Sequence, residues 1–195
     1  MTLTYETIKS KLCNLRKGKL NGKWVSILGT YFEKAFEFMC EEKGRTVVPS
    51  TDAQDALDHI DYWVNETPVD VKAPKHYKKN YDDFPNTILL ELTNVNGYAG
   101  WLRGKSKYIV FGYDAHPDFY FLIYDRQELL DWTEQQDFNF ITRDNRKDKF
   151  VWVVPPKEGL KAKIKCNKYL EKTILFFEEL DARNGIRKAP ESTQN

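Results

Sequence analysis

Cysteine is scarce in this chain. Cys13, Cys40 and Cys166 are scattered over 195 residues with no CxxC spacing. That excludes a disulfide framework and a zinc knuckle, and it suits a reducing compartment. Long apolar runs are also missing: none approaches the roughly 18 residues of a membrane span, so no membrane partner is expected. Met1–Ser10 is polar and mixed, without the basic-then-apolar order of a secretory leader, which points to a cytoplasmic protein. The three histidines, His59, His76 and His116, have no ligand spacing, and no Ser-His-Asp or Cys-His arrangement can be assembled. The segment GYAG is followed by no Gly-Lys-Ser/Thr, so it is not a phosphate loop. Internal repeats and low-complexity segments are absent. What remains is an ordinary globular composition, 41% hydrophobic and 14% aromatic, enough for one domain with a real core.

Charge of one sign is missing in blocks, although the net charge is only +1. No acid lies between Glu6 and Glu33, where Lys9, Lys11, Arg16, Lys17, Lys19 and Lys23 fall. No Lys or Arg lies from Thr46 to Val71, which holds Asp52, Asp55, Asp58, Asp61, Glu66 and Asp70. The stretch from Arg143 to Lys172 is basic again. Basic segments around an acidic centre suit a polyanion substrate and a metal site, although charge runs are as often solvated faces.

The periodicity predicts an α/β protein. Thr4–Leu15 reads as a short helix, followed by a Gly- and Lys-rich turn to Lys23. Trp24–Lys43 reads as the first major helix, with Ile27, Leu28, Tyr31, Phe32, Ala35, Phe36 and Met39 at helical spacing and Gly44 as its stop. Strands are expected at Arg45–Pro49, His59–Val64, Pro68–Ala73, Asn86–Thr93, Lys107–Gly112, Phe119–Tyr124 and Phe150–Val154. A loop is expected at His76–Asp83. Asp125 should cap a helix through Gln136, with Glu128 three residues on. Lys168–Arg183 should be a terminal helix. The expected organisation is a basic N-terminal segment (1–23), one main domain (24–183) and a flexible tail (184–195).

The most informative stretch is DYWV-NE-TPVDVK, from Asp61 to Lys72. Two apolar, β-branched and aromatic runs flank Asn65-Glu66 and predict a β-hairpin. With that turn, Asp61 lies opposite Asp70, and Lys72 shares their face of the sheet. Facing like charges repel in a merely structural hairpin, and a divalent cation between them removes the conflict. Two carboxylates and a lysine around a metal form the core of a phosphodiester-cleaving site. The bland alternative is an exposed hairpin with a cross-strand salt bridge.

This pattern resembles the PD-(D/E)XK nuclease superfamily, whose signature is an Asp followed by (Asp/Glu)-X-Lys on the next strand. Here these are Asp61 and Asp70-Val71-Lys72. Ile60-Asp61 stands where the family's literal Pro-Asp would be. In Holliday-junction resolvases and related phage endonucleases a Glu on the first helix is added, and GTYFEKAFEFMCEEKGR puts Glu33 in the matching place. The resemblance covers about Gly29–Asp125. It implies a central mixed β-sheet flanked by helices with a restriction-endonuclease-like core: a helix, a strand, the motif hairpin, then further strands and a helix. It also implies an Mg²⁺-dependent endonuclease acting on DNA, most closely branched or junction DNA, with Mn²⁺ as a substitute metal and no small-molecule cofactor. Asp61, Asp70 and the Val71 carbonyl would hold the metal. Lys72 would orient water or stabilise charge, and Glu33 would bind a second metal or hold water. A homodimer in a bacterial or phage-infected host cell follows by resemblance only.

Other residues are weaker candidates. Glu91 interrupts the apolar run ILLELT, and either reaches the site from an adjacent strand or pairs elsewhere. Asp58 is an alternative to Asp61, and His59, opposite Lys72 in this register, is a candidate for the cleft wall. Lys75, Lys78, Lys79, Arg103 and Lys105 are candidate phosphate contacts, with Lys107 equally ambiguous. Trp101 is expected in the core. Competing functions are an exonuclease or restriction-type enzyme, a non-catalytic nucleic-acid-binding module with a nuclease-like fold, and an interaction protein such as a small inhibitor.

Overall fold

A computed structural model describes residues 3–15, 17–20, 23–74, 87–142 and 147–183, and for residues 17–26 the backbone alone. The expected tail 184–195 and the lysines Lys75, Lys78 and Lys79 lie outside these residues. Helix α1 (Tyr5–Cys13) starts where Thr4 Oγ1 accepts the Thr7 amide, and it buries Ile8 and Leu12. Strands β1 (Lys17–Leu20) and β2 (Lys23–Ser26) pair antiparallel, with Leu20 opposite Lys23. The expected turn is therefore a hairpin, and Trp24–Ser26 belongs to it. The first major helix, α2 (Ile27–Glu42), is correspondingly shorter than the predicted Trp24–Lys43. Its buried residues Leu28, Phe32, Ala35, Phe36 and Met39 form the apolar stripe, and Gly44 follows at φ +67°.

The remaining strands are β3 (Val47–Pro49), β4 (Tyr62–Val64), β5 (Thr67–Lys72), β6 (Ile88–Thr93), β7 (Tyr108–Ala115), β8 (Asp118–Asp125), β9 (Lys149–Val153) and β10 (Leu160–Lys165). Helices α3 (Arg126–Glu134) and α4 (Asn167–Arg183) complete the order. Six strands form the central sheet, in the order β10-β8-β7-β5-β4-β3. β5 and β7 are parallel and the other neighbours antiparallel, so the sheet is mixed and the class is α/β as expected. A parallel pair needs a long crossover. Here it carries β6 and a 3₁₀ turn, Trp101–Arg103. β6 does not join the central sheet; it pairs with β9 in a separate two-stranded one.

Alternation along the central strands makes two cores. Val69, Val71, Val110, Phe119 and Phe121 face α1, α2 and α4. Ile109, Phe111, Leu122 and Tyr124 face β6, β9, Trp101 and α3. Trp101 lies in this second core, as predicted, at 3% exposure. Asp125 Oδ1 accepts the amides of Gln127 and Glu128 at the start of α3, as its spacing implied. Among the described residues, no helix is long and apolar enough to cross a membrane.

Candidate functional site

Asn65 and Glu66 both take positive φ, 46° and 65°, giving the hairpin turn that matches strand twist. The register is the expected one: Val64 opposite Thr67, Trp63 opposite Pro68, Tyr62 opposite Val69. Asp61 does not extend it. Its amide donates to the Val69 carbonyl at 2.9 Å, and its Oδ2 accepts the Val71 amide at 2.6 Å. The side chain thus replaces the next rung of the ladder. Backbone groups along a strand alternate sides, so the Val71 carbonyl emerges on the same side as the Val71 amide, beside Asp61. Asp70 and Lys72 alternate with the valines and lie beside Ile109 and Phe111 of β7. Asp70 is 0% exposed. The centre therefore sits just before the start of β4, with Asp70 and Lys72 on one side of the sheet and Glu33 of α2 near enough on the other for its charge to be felt.

A fourth carboxyl joins it that the sequence did not single out. Ser50 donates its amide to the Asp61 carbonyl at 2.9 Å, which closes segment 50–61 at its mouth. Within it, Thr51 and Gln54 cap each other, and Gln54–Asp58 makes a π-helical turn. That turn brings the Asp55 carboxyl within hydrogen-bonding reach of Asp61. The same turn ends on His59 at φ 54°, whose ring nitrogen lies 3.3 Å from the Ala99 carbonyl. His59 is therefore not in a strand opposite Lys72, because helical winding ends at it. Asp58, the alternative to Asp61, is instead paired with Lys105 at 2.9 Å.

The electrostatics are unbalanced. Burial pushes Glu33 up to about 7, aided by the charge of Asp61 and opposed by Lys72. Burial likewise pushes Asp61 up to about 7, with Lys72 opposing and Asp70 aiding. Asp70 and Asp55 are also raised, mainly by burial. Lys72, which burial alone would pull down, is held above the usual lysine range by Asp70 and Asp61. Its ammonium donates to Asp70 Oδ1. Among the described residues Asp70 Oδ2 is buried without a donor, while the Asp61 carboxyl lies close enough to share a proton with Asp70.

That orphaned oxygen tests the fit of a divalent cation. Mg²⁺ is commonly held by one or two carboxylates with waters completing the octahedron. Asp61 and Asp70 supply two carboxylates, and the Val71 carbonyl is a further hard oxygen beside them. Among the described residues no three carboxylate, imidazole or thiolate groups are placed to hold a metal ion together, so at most two of these carboxyls would bind one ion. The donor set therefore fits a partly hydrated hard cation and not a closed structural site.

The other predicted residues are spread around this centre. Glu91 is on β6 opposite Phe150, while Leu90 and Leu92 turn into the second core. Its strand is not the neighbour of β5; β7 is. Arg103 is ion-paired with Glu134 at 2.9 Å, and Lys105 with Asp58 as above; both cations are exposed. Lys107 pairs with Asp125 at 2.5 Å. Compared with family models, curated proteins and solved structures, the chain matches none.

Proposed function

We propose that this chain is a metal-dependent nuclease of the PD-(D/E)XK type, cutting phosphodiester bonds in DNA as an endonuclease. The observation that carries the reading is the pairing of half-buried Asp61 with fully buried Asp70, whose unpartnered oxygen lies beside the ammonium that its other oxygen holds. The order of elements supports it: α2, then β3, the β4–β5 hairpin, and further strands β7 and β8 before α3, as the resemblance to a restriction-endonuclease-like core implies.

Asp61, Asp70 and the Val71 carbonyl would hold Mg²⁺, or Mn²⁺ in its place. The bound cation would supply Lewis-acid stabilisation of phosphate oxygens and a more acidic water. Asp70 and Asp61 hold Lys72 charged in the metal-free chain, so it would donate to developing negative charge. Val71 N–H fixes the Asp61 carboxyl against the strand, so this group enters the site with one rotamer. Glu33, pushed up to about 7, is poised to hold or exchange a proton with water near neutral pH. Asp55 flanks Asp61 on the more exposed side. Branched or junction DNA is the proposed substrate, on the strength of the helix glutamate; a homodimer and a cytoplasmic setting are proposed on the same resemblance.

The test is cleavage of labelled linear duplex, single-stranded and four-way-junction DNA with Mg²⁺ or Mn²⁺, beside EDTA and Asp70→Ala controls. The reading predicts metal-dependent cutting, strongest on the junction and absent in the variant. Cutting from free ends only would make the enzyme an exonuclease. DNA binding without cutting would overturn the enzyme and leave a binding module. Neither binding nor cutting would overturn the nucleic-acid reading.

A further inference from the structure

We propose that Gly112 is a positioning residue for this centre, setting the distance between the helix that carries Glu33 and the strand end that carries Lys72. The proposal rests on the nuclease reading only for what Glu33 and Lys72 do there.

Gly112 lies on β7, next to Phe111, the residue opposite Lys72 on β5. Its other neighbour across the sheet is Phe121 of β8. A Cβ placed on Gly112 would stand 2.3 and 2.4 Å from two ring carbons of Phe32 and 2.9 Å from Pro74 Cδ. Real Cβ atoms do not approach other atoms so closely, so one of the neighbours would have to move. Both are tied to the site. Phe32 immediately precedes Glu33 on α2, is fully buried, and is wedged edge-on against Phe121 with ring centroids 6.3 Å apart. Pro74 follows Lys72 by two residues. The missing methyl group therefore lets the Phe32 ring rest on the strand itself, which holds α2 low over the sheet. It also lets the exit of β5 pass close by. No backbone conformation demands glycine here, since Gly112 is not among the residues of positive φ. The demand is for space, and the space lies between the two carriers of the site. The charges of Glu33 and Asp61 feel each other because α2 is seated at that height.

A structural role alone predicts that Gly112→Ala costs stability and nothing else. Positioning predicts that the interaction between Glu33 and Asp61 changes. The measurement is a double-mutant cycle in EDTA, with Glu33→Gln and Asp61→Asn, their coupling read from denaturant unfolding. It is run in the natural sequence, with Gly112→Ala, and with Gly112→Ala/Phe32→Leu, in which the shorter side chain makes room for the methyl. The coupling should fall by about half or more with Gly112→Ala and return in the double variant. Mn²⁺ affinity, read by electron paramagnetic resonance, should follow the same order, falling about tenfold and recovering. If Gly112→Ala does not fold, Phe32→Leu alone carries the test: a loosened seat should weaken the same coupling. Unchanged coupling in the folded variants would overturn the proposal. A natural sequence that shows the coupling but binds no Mn²⁺ would overturn the metal reading and leave the positioning role supported.

Discussion

Two buried aspartates, each bonded to a lysine, sit on neighbouring parts of one sheet and behave in opposite ways. Asp125, at the end of β8, is 4% exposed; Asp70, in β5, is 0% exposed. Burial works against ionisation of Asp125, but the Lys107 bond and the amides of Glu128 and Gln127 outweigh it and hold the carboxyl below its ordinary range. Both its oxygens have donors. Among the described residues Asp70 has one donor, Lys72, for one oxygen, and other carboxyls nearby; its pKa is pushed the other way. Burial and a lysine are common to both, so neither makes the difference. The difference is completeness: Asp125 is satisfied by its own chain, and Asp70 is left with a charge conflict that a helix cap would never require. Unsatisfied buried groups are costly, and they persist where something outside the chain completes them.

The largest break in this comparison should come from the Asp70 side. Asp70→Ala or Lys72→Ala is predicted to lower cleavage about a thousandfold or more while the fold and DNA binding persist. Single-turnover assays with circular dichroism as a folding control check this, and wild-type turnover in either variant would refute the assigned site. Next comes pH. Glu33 and Asp61 are raised to about 7, against unfolded values of roughly 4, so the folded chain retains protons the unfolded one has lost. Stability in EDTA should therefore fall as pH rises from about 4 to 7 and level off above. Asp125 has the opposite sign: its lowered pKa contributes stability above the unfolded value, and that contribution is lost as pH falls below about 4. Added Mg²⁺ should raise the melting temperature more at pH 8 than at pH 5; an equal rise at both would contradict the carboxylate seat.

Asp55→Asn should do less. It removes a flanking carboxyl and should weaken Mn²⁺ binding by about tenfold, without abolishing cleavage. An Asp55→Asn protein as inactive as Asp70→Ala would promote Asp55 to an essential ligand. The smallest effect belongs to Asp125→Ala, the loss of a helix cap, at about 1–2 kcal/mol. Its melting temperature should drop by a few degrees and its cleavage rate per folded molecule should not change.

How much of this was written in the residues depends on range. The turn and pairing of the hairpin were legible, because Asn65-Glu66 lies between two β-branched runs and local turn chemistry sets register, but the first strand starts at Tyr62 and not at His59. That Asp61 falls near Asp70 and Lys72 followed from that register, but its bond to the Val71 amide in place of a further rung did not. Asp55 was not legible, because its approach depends on a π-helical turn and on Ser50 closing the loop at Asp61. Acids at 52, 55 and 58 look the same in a solvated stretch. β10 carried a signal that was masked: Leu160, Ala162 and Ile164 alternate with exposed Lys161, Lys163 and Lys165, a half-buried strand hidden in a basic run. β1 and β2 likewise pair as a hairpin with Leu20 opposite Lys23, where a reading of lysine and glycine content alone makes a turn. The placement of β6 outside the central sheet was invisible, since an apolar strand does not name its partner.

The account stands on Asp70 being the unfinished one of the two aspartates. The direct measurement is a titration of Mn²⁺ into the protein at pH 7.5, followed by electron paramagnetic resonance, for the natural sequence, Asp70→Ala and Asp125→Ala. The predicted result is binding in the natural sequence and in Asp125→Ala, and its loss in Asp70→Ala. Binding by Asp70→Ala equal to that of the natural sequence, or no binding by any of the three, would contradict it.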